Sequence, residues 1–376
     1  MNRKSLALLR ARSILFLFHQ WLGVAVGGYF VLMAATGILL LYADPLDRII
    51  SRQLYAVSEP TTASVDLTRL VNAIEKQLPA FPIEDIRFPR DARDSVLILS
   101  PGGEDSGTTE IYVDPRSYKV LGTRREADAW NVWVYGLHAE LKLASLGKNL
   151  NGILALAVAA LLGTAIPLWW PKNQHQISQR LRIKLGASRM RWLFDVHNLA
   201  GIYSFSVLMT IVLTGVYFVY QESVEPALLR MMKTPVKKEQ DVAGDVKTQL
   251  SWSTLLVKGE AVYPNGKTTW VNLPLTADKP FRLTRIPEHG DWLGREVNIS
   301  LHTSTGKVIS SKSFVDDTAG QSFLRAVYPI HTGAWAGDAS RLIYAFVSLA
   351  PAILLFTGLA KWRLRTVQKS ANKAKG

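Results

Sequence analysis

The sequence contains no cysteine. Disulfides, thiolate nucleophiles, cysteine-ligated zinc, iron–sulfur clusters and covalently attached c-type haem are thereby excluded. Acidic residues are missing from residues 1–12, 171–191 and 361–376. Those segments instead carry Arg3, Lys4, Arg10 and Arg12, then Lys172, Arg180, Arg182, Lys184, Arg189 and Arg191, then Lys361, Arg363, Arg365, Lys369, Lys373 and Lys375. These sixteen account for the whole excess of 44 Lys and Arg over 30 Asp and Glu. No Gly-x-Gly-x-x-Gly follows a strand pattern, so no flavin or nicotinamide domain is visible. Charge is also absent from two long apolar runs, residues 13–42 and 150–170.

What is present explains those gaps. Two further runs, 192–220 and 342–360, join the first two, and Asp195 is the one acid among them. Each reaches or approaches the roughly 20 residues that cross the hydrocarbon. Backbone groups in lipid must bond internally, so these read as four transmembrane helices. A nucleic-acid partner is not expected, because each basic segment abuts an apolar run instead of covering a folded face. Positive-inside bias puts the basic N-terminus 1–12, the loop 171–191 and the tail 361–376 in the cytoplasm. The long loops 43–149 and 221–341 then face the other side. The first run is about twice the length of a signal-peptide h-region and holds His19, Gln20 and Trp21, so it reads as an uncleaved span.

The long loops carry globular patterns. Residues 66–78 read as an amphipathic helix with Leu67, Leu70, Val71, Ile74 and Leu78 on one face. Residues 95–100, 109–113 and 119–122 read as strands, with a turn at Asp114-Pro115. In the second loop 268–273, 282–285, 296–301 and 307–311 read as strands, with a turn at 304–306. Each loop is expected to form a small α+β domain.

The chain also resembles itself. His19-Gln-Trp-Leu-Gly23, Thr36-Gly37 and Tyr42 match His197-Asn-Leu-Ala-Gly201, Thr214-Gly215 and Tyr220. Val134-Tyr135-Gly136-Leu137-His138 aligns with Val327-Tyr328-Pro329-Ile330-His331. Gly163-Thr164 before Trp169 resembles Thr357-Gly358 before Trp362. The pattern predicts a tandem repeat of span, outside domain, span, with a pseudo-two-fold axis along the membrane normal.

Four of the seven histidines fall at matched positions. His19 and His197 are expected in a layer toward the cytoplasm, His138 and His331 in a layer toward the outside. Tyr42 lies 23 residues beyond His19, roughly 35 Å of helix. Two facing imidazoles suit haem b, which takes axial nitrogen ligands without a covalent link. Two such cofactors are expected, one in each layer. Gly23 and Gly201 follow their histidines by four residues, leaving room for a flat macrocycle, and Gly27 and Ser204 continue the face. Arg12 and Arg191 are candidates for the inner propionates; Lys142, Lys148 or Arg341 for the outer. The rival readings are interfacial histidines, a proton relay, and a zinc site, for which two histidines per layer make a poor ligand set. The spans are too short of cytoplasmic sequence to house a reductase domain, so electrons must come from a separate donor, a quinol or a cytoplasmic reductase.

These features resemble the PepSY-associated transmembrane-helix family over nearly the whole chain. The span-one histidine motif and Ile111-Tyr-Val-Asp114-Pro115-Arg-Ser-Tyr-Lys-Val-Leu-Gly122 carry the likeness. The second loop keeps Thr305-Gly-Lys-Val308 without Asp-Pro. Members include ferrioxamine-type siderophore-iron reductases of the bacterial inner membrane. The resemblance implies b-type haems on the repeat histidines, two periplasmic PepSY-like domains, and electron delivery to an Fe(III)-siderophore outside. Reduction weakens the grip of hard hydroxamate oxygens on iron, releasing Fe(II). Trp130, Trp133, Tyr135 and Trp335 flank the outer histidines and are candidates for a substrate pocket; an aromatic belt at the interface explains them equally. Glu288, His289 and Asp291 form a polar cluster that reads better as a solvated loop. No role is assigned to His175 or His302. Two alternatives remain: a haem-free PepSY sensor or regulator, and a transporter, which would need discontinuous helices or more intramembrane polar sites.

Overall fold

The computed structural model describes residues 3–373 apart from 58, 61–64, 90, 103–106, 172, 174–175, 235–249, 277–278 and 289–291. Lys172, His175, His289 and Asp291, singled out in the sequence, lie outside the described residues. The chain divides into two compact units.

The first unit comprises Met1–Leu41, Val134–Val224 and Val327–Gly376. It holds four helical segments long and apolar enough to cross a membrane: Leu9–Leu41, Ala144–Trp169, Arg189–Val219 and Ala334–Gln368. Each overlaps one expected span. The last is made of two helices, Gly337–Val347 and Ala350–Lys373. Ser188 starts the third by accepting from Arg191 N–H at 3.4 Å, a side-chain N-cap of the ordinary kind. The first span packs on the second and fourth, and the third on the second and fourth, so the four close a ring. Val26, Phe30, Val158, Leu162, Leu208, Val212 and Ala350 meet at its centre. Helices Trp130–Glu140 and Ala319–His331 carry the outer histidines in their last turns, just before the second and fourth spans.

The second unit, Tyr42–Trp133 and Glu225–Ala326, is built on one antiparallel sheet. Its strands are β1 (Asp85–Arg87), β2 (Val96–Pro101), β3 (Thr108–Val113), β4 (Val120–Arg125), β5 (Gly266–Asn272), β6 (Phe281–Pro287), β7 (Val297–Leu301) and β8 (Val308–Ser313). Their order is β4-β3-β2-β1-β5-β6-β7-β8. The expectation of a separate domain from each loop is corrected here. β1 pairs with β5, Ile86 opposite Val271, and the two loops share one sheet and one core. Loop one alone offers four strands, the first only three residues long. Joining first strand to first strand covers two edges that would otherwise be open.

Helices Leu67–Gln77 and Trp252–Val262 contribute to that core through Leu67, Leu70, Val71, Ile74, Leu255 and Leu256. Their N-termini are bonded reciprocally. Thr68 N–H donates to Ser253 Oγ at 2.9 Å, and Ser253 N–H to Thr68 Oγ1 at 2.9 Å. The turn at Asp114 uses its carboxylate to accept from Arg116 N–H and Ser117 N–H. The second-loop turn has His302 in the same place: its Nδ1 accepts from Ser304 N–H at 3.2 Å. Asp114 N–H donates to Lys119 O and His302 N–H to Lys307 O. His302 is thus a turn residue, which accounts for the missing Asp-Pro.

A buried polar knot completes this unit. Arg124 donates to both carboxyl oxygens of Asp47, to Glu110 and to the Tyr112 hydroxyl. Ser51, Tyr55 and the Trp130 indole also donate to Asp47. Burial would push the Asp47 carboxyl up. The bonds from Arg124, Tyr55 and Ser51 outweigh it and hold the group below the usual carboxylate range.

Candidate functional site

Each of the four matched histidines meets a threonine on a different helix. Nδ1 lies 2.8 Å from Oγ1 for His19 and Thr164, and 2.8 Å for His138 and Thr36. It lies 2.9 Å away for His197 and Thr357, and 2.9 Å for His331 and Thr214. Each threonine hydroxyl also reaches a carbonyl of its own helix, at 2.7–2.8 Å: Leu161, Leu32, Ile353 and Thr210 respectively. A hydroxyl has one proton. A carbonyl can only accept; with that proton on the carbonyl, the tautomer this arrangement favours is Nδ1–H, donating to the hydroxyl oxygen. His331 Nδ1 is also 3.1 Å from Ile211 O, which again requires a proton on Nδ1. In the neutral ring Nε2 then carries the lone pair, the form in which imidazole binds a metal.

The rings are brought together in two pairs. His19 and His197 have centroids 6.5 Å apart and planes at 83°. His138 and His331 are 6.3 Å apart at 63°. Two metal–imidazole bonds of about 2 Å each, plus the two half-rings, span roughly this gap. From His19 to Thr36 the first helix is continuous over seventeen residues, which separates the pairs by roughly 25 Å.

Among the described residues no group of three or more His, Cys, Asp or Glu could hold a metal ion. A closed protein zinc site therefore does not fit. Two imidazoles at this spacing would suit a metal whose remaining ligands belong to a planar cofactor. A cavity of about 700 Å³ surrounds His19 and His197. Gly23, Gly27 and Gly201 line it, between apolar walls that include Leu161 and Leu354. Its charged lining residues are Arg12, Arg180, Lys361 and Arg365, with no carboxylate among the lining residues. An apolar ring bearing acidic groups matches this lining.

Arg12 is among those cations, and it also donates to Leu168 O at 2.7 Å and Trp170 O at 3.3 Å. Arg191 is not: it lies outside the lining and pairs at 2.9 Å with the buried Asp195. That carboxylate, buried in the third span, needs its cation because a buried charge must be paired. Lys148 faces Glu222 at 3.8 Å and Arg341 faces Asp338 at 3.5 Å. Tyr135 and Trp335 are exposed in the helical unit. Trp130 and Trp133 belong to the sheet unit, where the Trp130 indole is bonded to Asp47 and Trp133 is exposed. Glu288 closes β6 as a turn residue.

Two sets of residues escaped the sequence reading. The first is the threonines, visible only as part of repeated Thr-Gly steps. The glycines of those steps lie against the rings: a Cβ on Gly37, Gly215 or Gly358 would stand in ordinary contact, 3.4–3.7 Å from Cε1 of His138, His331 or His197. At His19 the order is reversed, and Gly163 faces open space. The second is Asn151, buried, whose amide donates to the carbonyls of His138 and Ala139 at 2.9 and 3.0 Å. The Tyr29 hydroxyl in turn donates to Asn151 Oδ1 at 2.5 Å. This chain of bonds ties the end of the His138 helix to the first and second spans.

The family is decided by comparison with family models. The chain belongs to the family of the PepSY-associated TM region, whose model matches residues 16–365. This family member has no match among curated proteins. It is a multi-pass membrane protein carrying a PepSY-like α+β part.

Proposed function

We propose that this chain is an inner-membrane, two-haem reductase of Fe(III)-siderophores. The observation that carries the reading is the pairing of four imidazole rings, two and two, each with Nδ1 beside a threonine hydroxyl, at opposite ends of one helical unit. His19 and His197 would hold one haem b, His138 and His331 the other. Haem, when bound, supplies one-electron exchange between ferric and ferrous iron.

The protein's own residues do the rest. The threonines hold each ring in the Nδ1–H form. Gly23, Gly27 and Gly201 keep the inner cavity open, and Arg12, Arg180, Lys361 and Arg365 neutralise acidic groups there. The apolar walls exclude water. The net reaction takes one electron from a separate donor and delivers it to ferric substrate iron outside, where the weakened chelate releases Fe(II). Tyr135 and Trp335, exposed in the helical unit, are the aromatic contacts proposed for the substrate.

The basic segments support a cytoplasmic location for both termini, and hence a periplasmic sheet unit. The fold supports a tandem duplication as well. The sheet order is symmetric about the β1–β5 junction, and the histidine–threonine bond recurs in matched positions of both halves.

The test is reoxidation. Purified protein reduced with dithionite, freed of excess reductant, is mixed anaerobically with a ferric hydroxamate siderophore and an Fe(II) chelator. Reoxidation with matching Fe(II) capture is expected. Reduced protein that ignores the ferric siderophore would contradict the substrate assignment.

A further inference from the structure

A threonine in an apolar helix ordinarily bonds the carbonyl one turn back and does nothing more. Thr36, Thr164, Thr214 and Thr357 each do this and also accept Nδ1–H from a ring on another helix. The same bond occurs at four separate helix contacts, one pair in each histidine layer. Metal-bound histidine commonly gives its second N–H to a carboxylate or carbonyl, which fixes the ring and raises its basicity. A hydroxyl is a neutral acceptor. It draws less on the Nδ1 proton than a carboxylate would, and its own proton is already committed to the helix.

We infer that these four threonines are positioning residues that fix the tautomer and orientation of each histidine and set the reduction potential of the centre it serves. The inference rests on the haem reading above. The stronger the acceptor at Nδ1, the more electron density reaches Nε2, and the more the ferric state is favoured. Removing the hydroxyl therefore raises the potential. Each threonine acts on one layer only: Thr164 and Thr357 on the His19–His197 centre, Thr36 and Thr214 on the His138–His331 centre. At Thr214 the effect is smaller, because Ile211 O stands ready as a second acceptor for His331.

The experiment is redox potentiometry of the haem-loaded full chain, followed optically, for wild type, T164V, T164S, T36V and T214V. T164V is expected to raise one of two midpoints by up to tenfold in the redox equilibrium, about 59 mV for one electron. T36V raises the other, T214V raises the same one as T36V by less, and T164S stays at the wild-type value. If T164V loses one haem while T164S keeps both, orientation by the hydroxyl is equally supported. Full haem content with both midpoints unmoved in T164V and T36V overturns the inference. So does a T164S shift as large as that of T164V. A wild-type chain that binds no haem instead overturns the haem reading itself, so the two failures are distinct.

Discussion

His19 and His197 face each other with ring centroids 6.5 Å apart and planes at 83°. The first ring comes from the first span and the second from the third. Neither is fixed by its own helix alone. Thr164 on the second span anchors one ring and Thr357 on the fourth anchors the other. All four spans are therefore needed to place one pair, and a ring closed by packing on both sides keeps that pair in register. Were these two rings to hold the proposed haem iron, their near-perpendicular planes would bring its two π-type orbitals close in energy. The ferric protein is expected to give strongly anisotropic low-spin electron paramagnetic resonance signals. A spectrum typical of parallel imidazoles, or of high-spin iron at both centres, would contradict the geometry.

The inner cavity is kept open by missing side chains. In G201L a leucine would enter the space lined by His19, His197 and Gly201. Haem content is expected to fall from two to one per chain, with the outer centre unchanged. Full occupancy of both centres in G201L, measured by pyridine haemochrome assay, would remove the cavity from the account.

Asn151 joins Tyr29 to the carbonyl end of the His138 helix. N151L takes the amide from those carbonyls and leaves the Tyr29 hydroxyl only the main-chain carbonyl of residue 151, at 3.2 Å. Buried groups left unsatisfied cost about 1–3 kcal/mol each. Lower thermal stability is expected, together with a perturbed outer centre and an intact inner one. Equal effects on both centres would assign Asn151 a general packing role instead.

The Asp47–Arg124 pair anchors the polar knot of the sheet unit. Removing Arg124 strands two carboxylates, and breaking a buried pair in this way costs about 3–5 kcal/mol. R124A should therefore unfold the sheet unit well before wild type. The pH sign follows from the depressed Asp47 carboxyl. Its contribution is complete above the unfolded pKa of about 4, and is lost as pH falls through the lower folded value. Acid should destabilise wild type in that window, and D47N should flatten the dependence. An unchanged acid profile in D47N, followed by circular dichroism, would show that other groups govern it.

Much of this was legible in the sequence because long apolar runs and alternating strands are local signals. Seven of the eight strands and the Leu67–Gln77 helix fall where periodicity placed them. β1 was missed because three residues carry no alternation. The single sheet was missed because β1 and β5 are far apart in sequence, and nothing local marks them as partners. Helix Trp252–Val262 shows little amphipathic contrast, so its pattern resembled loop. The histidine pairs were legible through the repeat, but their hydrogen-bond partners lie 102 to 160 residues away. Arg191 was misjudged for a related reason: its nearest claim is Asp195, four residues on, where an ion pair on one helix face is cheap.

The measurement that tests the central claim most directly is haem stoichiometry with a reduced-minus-oxidised spectrum of the detergent-purified chain, beside its H19A, H197A, H138A and H331A variants. The account predicts two b-type haems per wild-type chain, loss of the same centre in H19A and H197A, and loss of the other in H138A and H331A. A wild-type chain without haem after expression with ample haem supply, or four variants with undiminished haem and unchanged spectra, would contradict it and favour a haem-free regulator or transporter.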